Sequence, residues 1–257
     1  MPLGMLPREE PPPVHPEHLS EAIDPLIEDG VLDSLLYPVK SGKEGTLYCA
    51  SAGPRLGMDL VAVKVYKAQQ FRSFKDDSLY RAGRVILDRR AARAAAKRTR
   101  FGRETRSSLW TDSEFETLKV LHAAGAHVPQ PLAHTSGAVV MEWIGDSDGP
   151  APQLKDVRLD PDHAQQLFES LLKSVELWLA CNIVHGDLSA YNLLYHAGAL
   201  VAIDFPQASD PRFNTNAPSL LARDLANVCQ HFARWGVVAE PYALADELWD
   251  RFLRGAL

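Results

Sequence analysis

An α+β fold in two lobes is what this chain predicts: a small β-rich lobe with helices in front of it, then a mainly helical lobe. Three observations carry that expectation. A glycine-tipped hairpin at 39–50 and an alternating strand at 60–66 make the first half β-rich. In 161–181, 219–235 and 242–253 the apolar residues recur at helical spacing instead. Between them, 146–152 (Asp-Ser-Asp-Gly-Pro-Ala-Pro) is polar and full of chain breakers, a natural boundary. At 257 residues, 46% apolar and 23% charged, the chain has enough length for one large domain or two small lobes with a real core. The expected division is a leader at 1–16, helices plus the first lobe at 17–145 with a basic insertion at 71–110, and the second lobe at 146–257.

Residues 1–16 hold Pro2, Pro7, Pro11, Pro12, Pro13 and Pro16, so a disordered or polyproline leader is expected. No basic-then-apolar signal pattern opens the chain, and no apolar stretch approaches the roughly 18 residues that span a bilayer. A soluble cytoplasmic protein follows as the expectation, with no membrane partner. Leu19, Ile23, Leu26 and Ile27 fall at helical spacing and Gly30 ends that helix. Val31, Leu32, Leu35 and Leu36 then predict a second short helix.

At the tip of the next hairpin stand Ser41, Gly42, Lys43, Glu44 and Gly45. Small residues there let backbone N–H groups come close to phosphates, and Lys43 adds charge. Glu44, where a Walker loop needs Ser or Thr, excludes that loop. Alternation in the following strand puts Val61, Val63 and Val65 on one face and Ala62, Lys64 and Tyr66 on the other. Lys64 either lies on a solvated face or projects into a cleft toward phosphates and a helix carboxylate. Its spacing after the glycine hairpin favours the cleft.

A helix is expected from Asp112 to Ala123, capped by Thr111 or Asp112, with Phe115, Leu118 and Leu121 inward. Glu114 and Glu116 are candidate partners for Lys64, and Glu114, one turn into the helix, is preferred. Residues 126–131 read as extended. Residues 138–145 read as a strand ending in glycine that suits a hinge. The backbone beyond Met141 would meet an adenine edge, or the run is simply a buried edge strand. In the 161–181 helix the inward set is Ala164, Leu167, Phe168, Leu171, Leu172, Val175 and Leu179. In the helix at 219–235, Asp224 either braces the loop before it or lies at the surface.

The densest chemistry lies in His185-Gly186-Asp187-Leu188-Ser189-Ala190-Tyr191-Asn192, followed by Ile203-Asp204. An Asp and an Asn stand five positions apart, and a second Asp ends an apolar run. Asp187 can orient a hydroxyl or a water. Asn192 and Asp204 offer oxygen to magnesium, a hard cation usually shared with nucleotide phosphates. A lone His-Gly-Asp turn would be commonplace; the ordered set is not.

Charge is segregated. Residues 71–106 carry 12 Lys/Arg against 4 acids, a net +8, which leaves −14 on the rest of a chain whose total is −6. Arg89, Arg93 and Lys97 form one stripe of an Ala-rich helix, a docking arm for RNA phosphates or an acidic partner, or simply a solvated face. Cys49, Cys181 and Cys229 have neither metal-ligand nor disulfide spacing and are read as reduced thiols.

With these residues laid out, the chain resembles a RIO-type atypical serine/threonine protein kinase, read as a bacterial member. The resemblance rests on Ser41-Gly42-Lys43-Glu44, Val63-Lys64-Val65-Tyr66-Lys67, Ser113-Glu114-Phe115, Val140-Met141-Glu142-Trp143-Ile144-Gly145, the His185–Asn192 motif, and Ile203-Asp204-Phe205-Pro206-Gln207 in order. It implies a two-lobed protein-kinase-like fold with a truncated helical second lobe, ATP, and magnesium or manganese. Lys64 would hold phosphates and Glu114 would hold Lys64. Asp187 would be the catalytic Asp, and Asn192 and Asp204 the metal ligands. Ser41, Gly42, Lys43 and Glu44 would lie on the phosphates, with Glu142 and Ile144 offering backbone to adenine. Gly45 and Pro206 depart from the family's usual residues without removing a ligand. The implied activity is phosphoryl transfer to a protein Ser/Thr or to the enzyme itself. Two alternatives are an ATP-gated module that docks on RNA or a ribosomal subunit through 71–106, and a small-molecule kinase of the aminoglycoside or choline type. The sequence names neither substrate nor oligomeric state.

Overall fold

The computed structural model describes residues 16–42, 44–67 and 100–257. The leader up to residue 15, Lys43, and residues 68–99 with the Arg89, Arg93, Lys97 stripe lie outside the described residues.

Helix α1 (Pro16–Glu28) buries Ala22, Ile23 and Leu26. It ends at Gly30, which takes φ +67°, while the Val31 N–H donates to Leu26 O at 2.9 Å. The second short helix expected here does not form. Residues 32–41 are strand β1 (Leu32–Ser41), paired antiparallel with β2 (Gly45–Ala52) from Leu32↔Ala52 to Ser41↔Thr46. Apolar residues at four of six positions suit either period, so local pattern could not decide; a backbone partner did. The β1–β2 hairpin itself forms as expected.

Strand β3 (Leu60–Tyr66) pairs with β2 and with β5 (Ala138–Glu142), and β4 (Pro131–His134) pairs with β5. The order is β1-β2-β3-β5-β4, all antiparallel. Alternation along β3 separates two cores. Val61, Val63 and Val65 pack with Ala22, Ile23 and Leu26 of α1. Ala62 and Tyr66 join the core of Leu118 and Leu121 on helix α2 (Arg100–Ala123). Lys64 therefore emerges on the α2 face.

Helix α2 corrects an expectation. It runs unbroken from Arg100, so Thr111 and Asp112 are not its cap but lie well inside it, with Thr111 buried. Cap residues are only a prior, and hydrogen bonding to the preceding turns removes the need for one.

The helical half follows. Helix α3 (Pro161–Ala180) starts with Pro161 behind Asp160, whose side chain accepts from His163 N–H at 3.0 Å. Its buried set includes Trp178 rather than the expected Leu172, which is only partly buried. Strands β6 (Leu193–His196) and β7 (Ala199–Ala202) form a hairpin through Ala197 and Gly198, both at positive φ, as a tight two-residue turn requires. Helices α4 (Ala217–Ala233) and α5 (Pro241–Leu253) pack together and close the chain. Cys49 and Cys229 are buried, Cys181 is partly so, and all three are free thiols. Among the described residues no helix is long and apolar enough to cross a membrane.

Candidate active site

The site forms where the α2 face of β3 meets the loop after β7. Lys64 Nζ donates to both oxygens of Glu114, at 2.9 and 3.0 Å, and also to Asp204 Oδ1. Glu114 is 1% exposed and takes a further hydrogen bond from the Phe205 N–H at 3.1 Å. It thus ties a β3 side chain, its own helix and the post-β7 loop together. Glu116, the alternative partner, faces solvent and pairs with Lys119. Burial alone would lower the Lys64 pKa, but Asp204, Glu114 and Glu44 around it hold it well above the usual lysine value. Burial would likewise raise Asp204, and the Lys64 ammonium outweighs it and lowers its pKa.

Asp204 reaches this place by a strained step. It stands just past β7 with φ +71°, a left-handed conformation that Asp tolerates better than most residues. The Ile203 N–H donates to Asn192 O at 2.9 Å, so the two loops that carry Asn192 and Asp204 are joined by backbone. Asn192 Nδ2 donates to Asp187 O at 2.8 Å and to Asp187 Oδ2 at 3.3 Å. With its nitrogen engaged there, the amide oxygen is the atom left for a cation. The Asp187 pKa is raised, by burial first and by the Asp204 charge second.

Among the described residues, no group of three or more His, Cys, Asp or Glu is placed to hold a metal ion. The donors on offer are an amide oxygen and a carboxylate. Such a set suits a hard cation that fills its remaining positions with water and phosphate oxygens.

Beneath the motif loop lies a brace whose role the sequence left open. Asp224, 2% exposed, accepts from the Gly186 N–H at 2.7 Å and the Leu188 N–H at 3.0 Å. Burial pushes its carboxyl up to about 7, against the pull of those two donors. Asn227, three residues on along α4, donates to Leu188 O at 3.0 Å, and Arg223 donates to Gly186 O. Gly186 has φ +79°, and a Cβ there would meet Gln207 O at 2.7 Å, so only glycine fits. His185 is buried beside Phe205 and Trp178. Its Nε2 faces Ile203 O at 3.2 Å while Nδ1 accepts from the Asp187 N–H at 3.3 Å, an arrangement that needs the neutral ring. Burial lowers its pKa to about 4. The signal for Arg223 and Asn227 was their spacing around Asp224 on one helix, visible only once Asp224 is known to face inward.

The glycine turn is less open than its sequence suggests. The Gly42 N–H donates to Gly45 O at 2.8 Å and is used within the hairpin. Ser41 Oγ and Thr46 Oγ1 lie 3.0 Å apart across it. Glu44 has its carboxyl pushed up to about 7, by burial first, with Asp204 and Glu114 adding and Lys64 opposing. At the expected hinge, the Glu142 N–H donates to Gln130 O and the Ile144 carbonyl accepts from the Ala151 N–H. The Glu142 N–H and the Ile144 carbonyl are thus already paired within the protein. Lys43 lies outside the described residues.

A family model described as the RIO domain matches residues 46–244. The chain belongs to the RIO family. Among curated RIO relatives, it is 34% identical to the RIO-type serine/threonine-protein kinase Rio1 of Haloferax volcanii, over 89% of this chain and 72% of that one. It is 33% identical to the serine/threonine-protein kinase RIO1 of Chaetomium thermophilum, over 82% of this chain but only 42% of that longer protein. Among solved structures, Rio2 kinase from Chaetomium thermophilum, in an ADP/Mg2+-phosphoaspartate complex, aligns with TM-score 0.67 and 20% identity, over 95% of this chain and 72% of that one. The fold is thus the α+β, two-lobed RIO kinase fold.

Proposed function

We propose that this RIO family member is an ATP- and magnesium-dependent serine/threonine protein kinase, with manganese a workable substitute. The supporting observation is the Lys64 ammonium held between Glu114 and Asp204, beside an Asp187–Asn192 pair. Asp187 is the catalytic residue: its carboxylate orients the acceptor hydroxyl and takes its proton, and a pKa raised by burial suits it to that role. Asn192 keeps Asp187 in place and offers its amide oxygen, with Asp204, to the cation. Lys64, fixed by Glu114, holds phosphate oxygens, and the 41–44 turn with Lys43 covers them. The backbone of Met141, Glu142 and Ile144 lies along the adenine. Bound magnesium-ATP supplies the phosphoryl group and neutralises charge building on it.

The acceptor is a Ser/Thr of a cytoplasmic protein or of the chain itself. The phosphoaspartate in the Rio2 complex supports a second acceptor, Asp204, whose side chain is 39% exposed; release from it would make the enzyme an ATPase. Docking of the basic 71–106 segment on RNA or a ribosomal subunit is compatible with either route. The match to protein kinases weighs against a small-molecule kinase.

Asp187→Ala should cut turnover about 1,000-fold, within the range for a lost general base, and leave ATP binding intact. Unchanged phosphate release would overturn the assignment. Mapping the phosphorylated residue by mass spectrometry after incubation with ATP separates a hydroxyl acceptor from Asp204.

A further inference from the structure

Lys67 stands one residue beyond β3, three after Lys64, and has no part in the site described above. It is 5% exposed, an unusual depth for a lysine. Its Nζ donates to Gly42 O at 2.8 Å, 25 residues back along the chain. Its backbone N–H donates to Glu44 O, also at 2.8 Å. One residue therefore grips the turn on both sides of position 43. The Gly42 N–H closes on Gly45 O inside the same turn. Gly45 is pressed so closely on β3 that a Cβ would meet Val65 O at 2.3 Å. Among the described residues the turn is held to the end of β3 at three points, and the Lys67 ammonium is the one of these made by a side chain.

That arrangement has a physical consequence. A four-residue turn with glycine at both ends is entropically costly to hold in one shape. A charged donor on a carbonyl is about twice as strong as a neutral one, and burial sharpens it further. Burial also lowers the Lys67 pKa, in line with an ammonium withdrawn from water.

We propose that Lys67 is a positioning residue for phosphoryl transfer. It latches Gly42 and Glu44, on either side of position 43, where they meet the nucleotide phosphates, so that this backbone is preorganised before nucleotide arrives. This rests on the kinase reading above. The latch acts on nucleotide binding more than on the chemical step, because Lys67 grips the turn rather than Asp187, Asn192 or Asp204.

The test uses Lys67→Met, which keeps the stem and removes the donor, and Lys67→Arg, which restores one. In the full-length chain, Lys67→Met should raise KM for ATP about tenfold with kcat changed less than threefold, and Lys67→Arg should recover most of the loss. Amide hydrogen exchange at Gly42 should accelerate at least tenfold in Lys67→Met without any nucleotide present. Unchanged exchange and KM in Lys67→Met overturn the latch. Equal losses of kcat and kcat/KM in both variants, in step with a falling Tm, also overturn it, since that marks a merely structural lysine. Exchange decides the latch even if the wild-type chain binds no ATP, in which case the kinase reading fails separately.

Discussion

Glu114, on α2, and Asp224, on α4, are both acids shut away from water, 1% and 2% exposed, and each is satisfied in a different way. Glu114 binds a side-chain ammonium from another element and one backbone N–H. Asp224 binds two backbone N–H groups of a single loop. The first acid joins parts that are far apart in sequence. The second sets the local shape of one turn around Gly186. Burial of a carboxylate is costly unless it is paired, so both positions constrain their surroundings strongly. They constrain different things: Glu114 the location of Lys64 relative to Asp204, Asp224 the path of the backbone into Asp187.

The largest effect should come from breaking the Asp224 side. Asp224→Ala leaves the Gly186 and Leu188 N–H groups buried without acceptors, at ~1–3 kcal/mol each, so unfolding free energy should fall by about 4 kcal/mol. Asp224→Asn keeps one carbonyl acceptor and should lose about half as much. Denaturant titration of the two variants measures this, and equal losses would mean that the acid acts through charge rather than geometry.

Next comes pH. His185, on the same loop, has its pKa lowered from 6.5 to about 4 by burial. The unfolded chain therefore binds the proton more readily than the folded one. The neutral ring's contribution is complete above pH 6.5 and is lost as pH falls through 4. Wild type should gain about 3 kcal/mol over His185→Phe between those limits, because each pH unit separating the folded and unfolded pKa is worth ~1.36 kcal/mol. Asp224, raised rather than lowered, acts in the opposite direction over the same window. The difference between the two unfolding curves, not either curve alone, is the quantity to measure.

The Glu114 side should be smaller in stability and larger in selectivity. Glu114→Gln keeps the shape and removes the charge, so KM for ATP should rise about tenfold as Lys64 loses its anchor. Glu116→Ala, removing an exposed acid paired with Lys119, should shift stability by less than about 0.5 kcal/mol and leave KM unchanged. Identical kinetics in the two variants would show that α2 does not position Lys64.

The reach of sequence reading differed between the same two regions. Lys64 and Glu114 were both legible: strand alternation placed Lys64 opposite the valines, and helical spacing put Glu114 on the face of Leu118 and Leu121. The Asp187, Asn192 and Asp204 motif was legible because its members are close in sequence. Three things were not. The first half of β1, up to Leu36, was read as a short helix because four apolar residues in a short run have no decisive period. The start of α2 was missed because a plausible cap at Thr111 and Asp112 lay inside a longer helix. The Asp224 brace was left undecided because its partners are backbone N–H groups, which every sequence has everywhere.

Local pattern and side-chain chemistry by themselves picked out a strand lysine, a helix glutamate and the Asp187, Asn192 and Asp204 set, and roughly which elements would carry them. Tertiary structure alone decided that Lys64 lies between Glu114 and Asp204, that Asp224 points inward, and that Lys67 closes on Gly42. The reason is physical: a side chain's chemistry is intrinsic to it, whereas its partner is fixed by packing that brings distant backbone within hydrogen-bond reach.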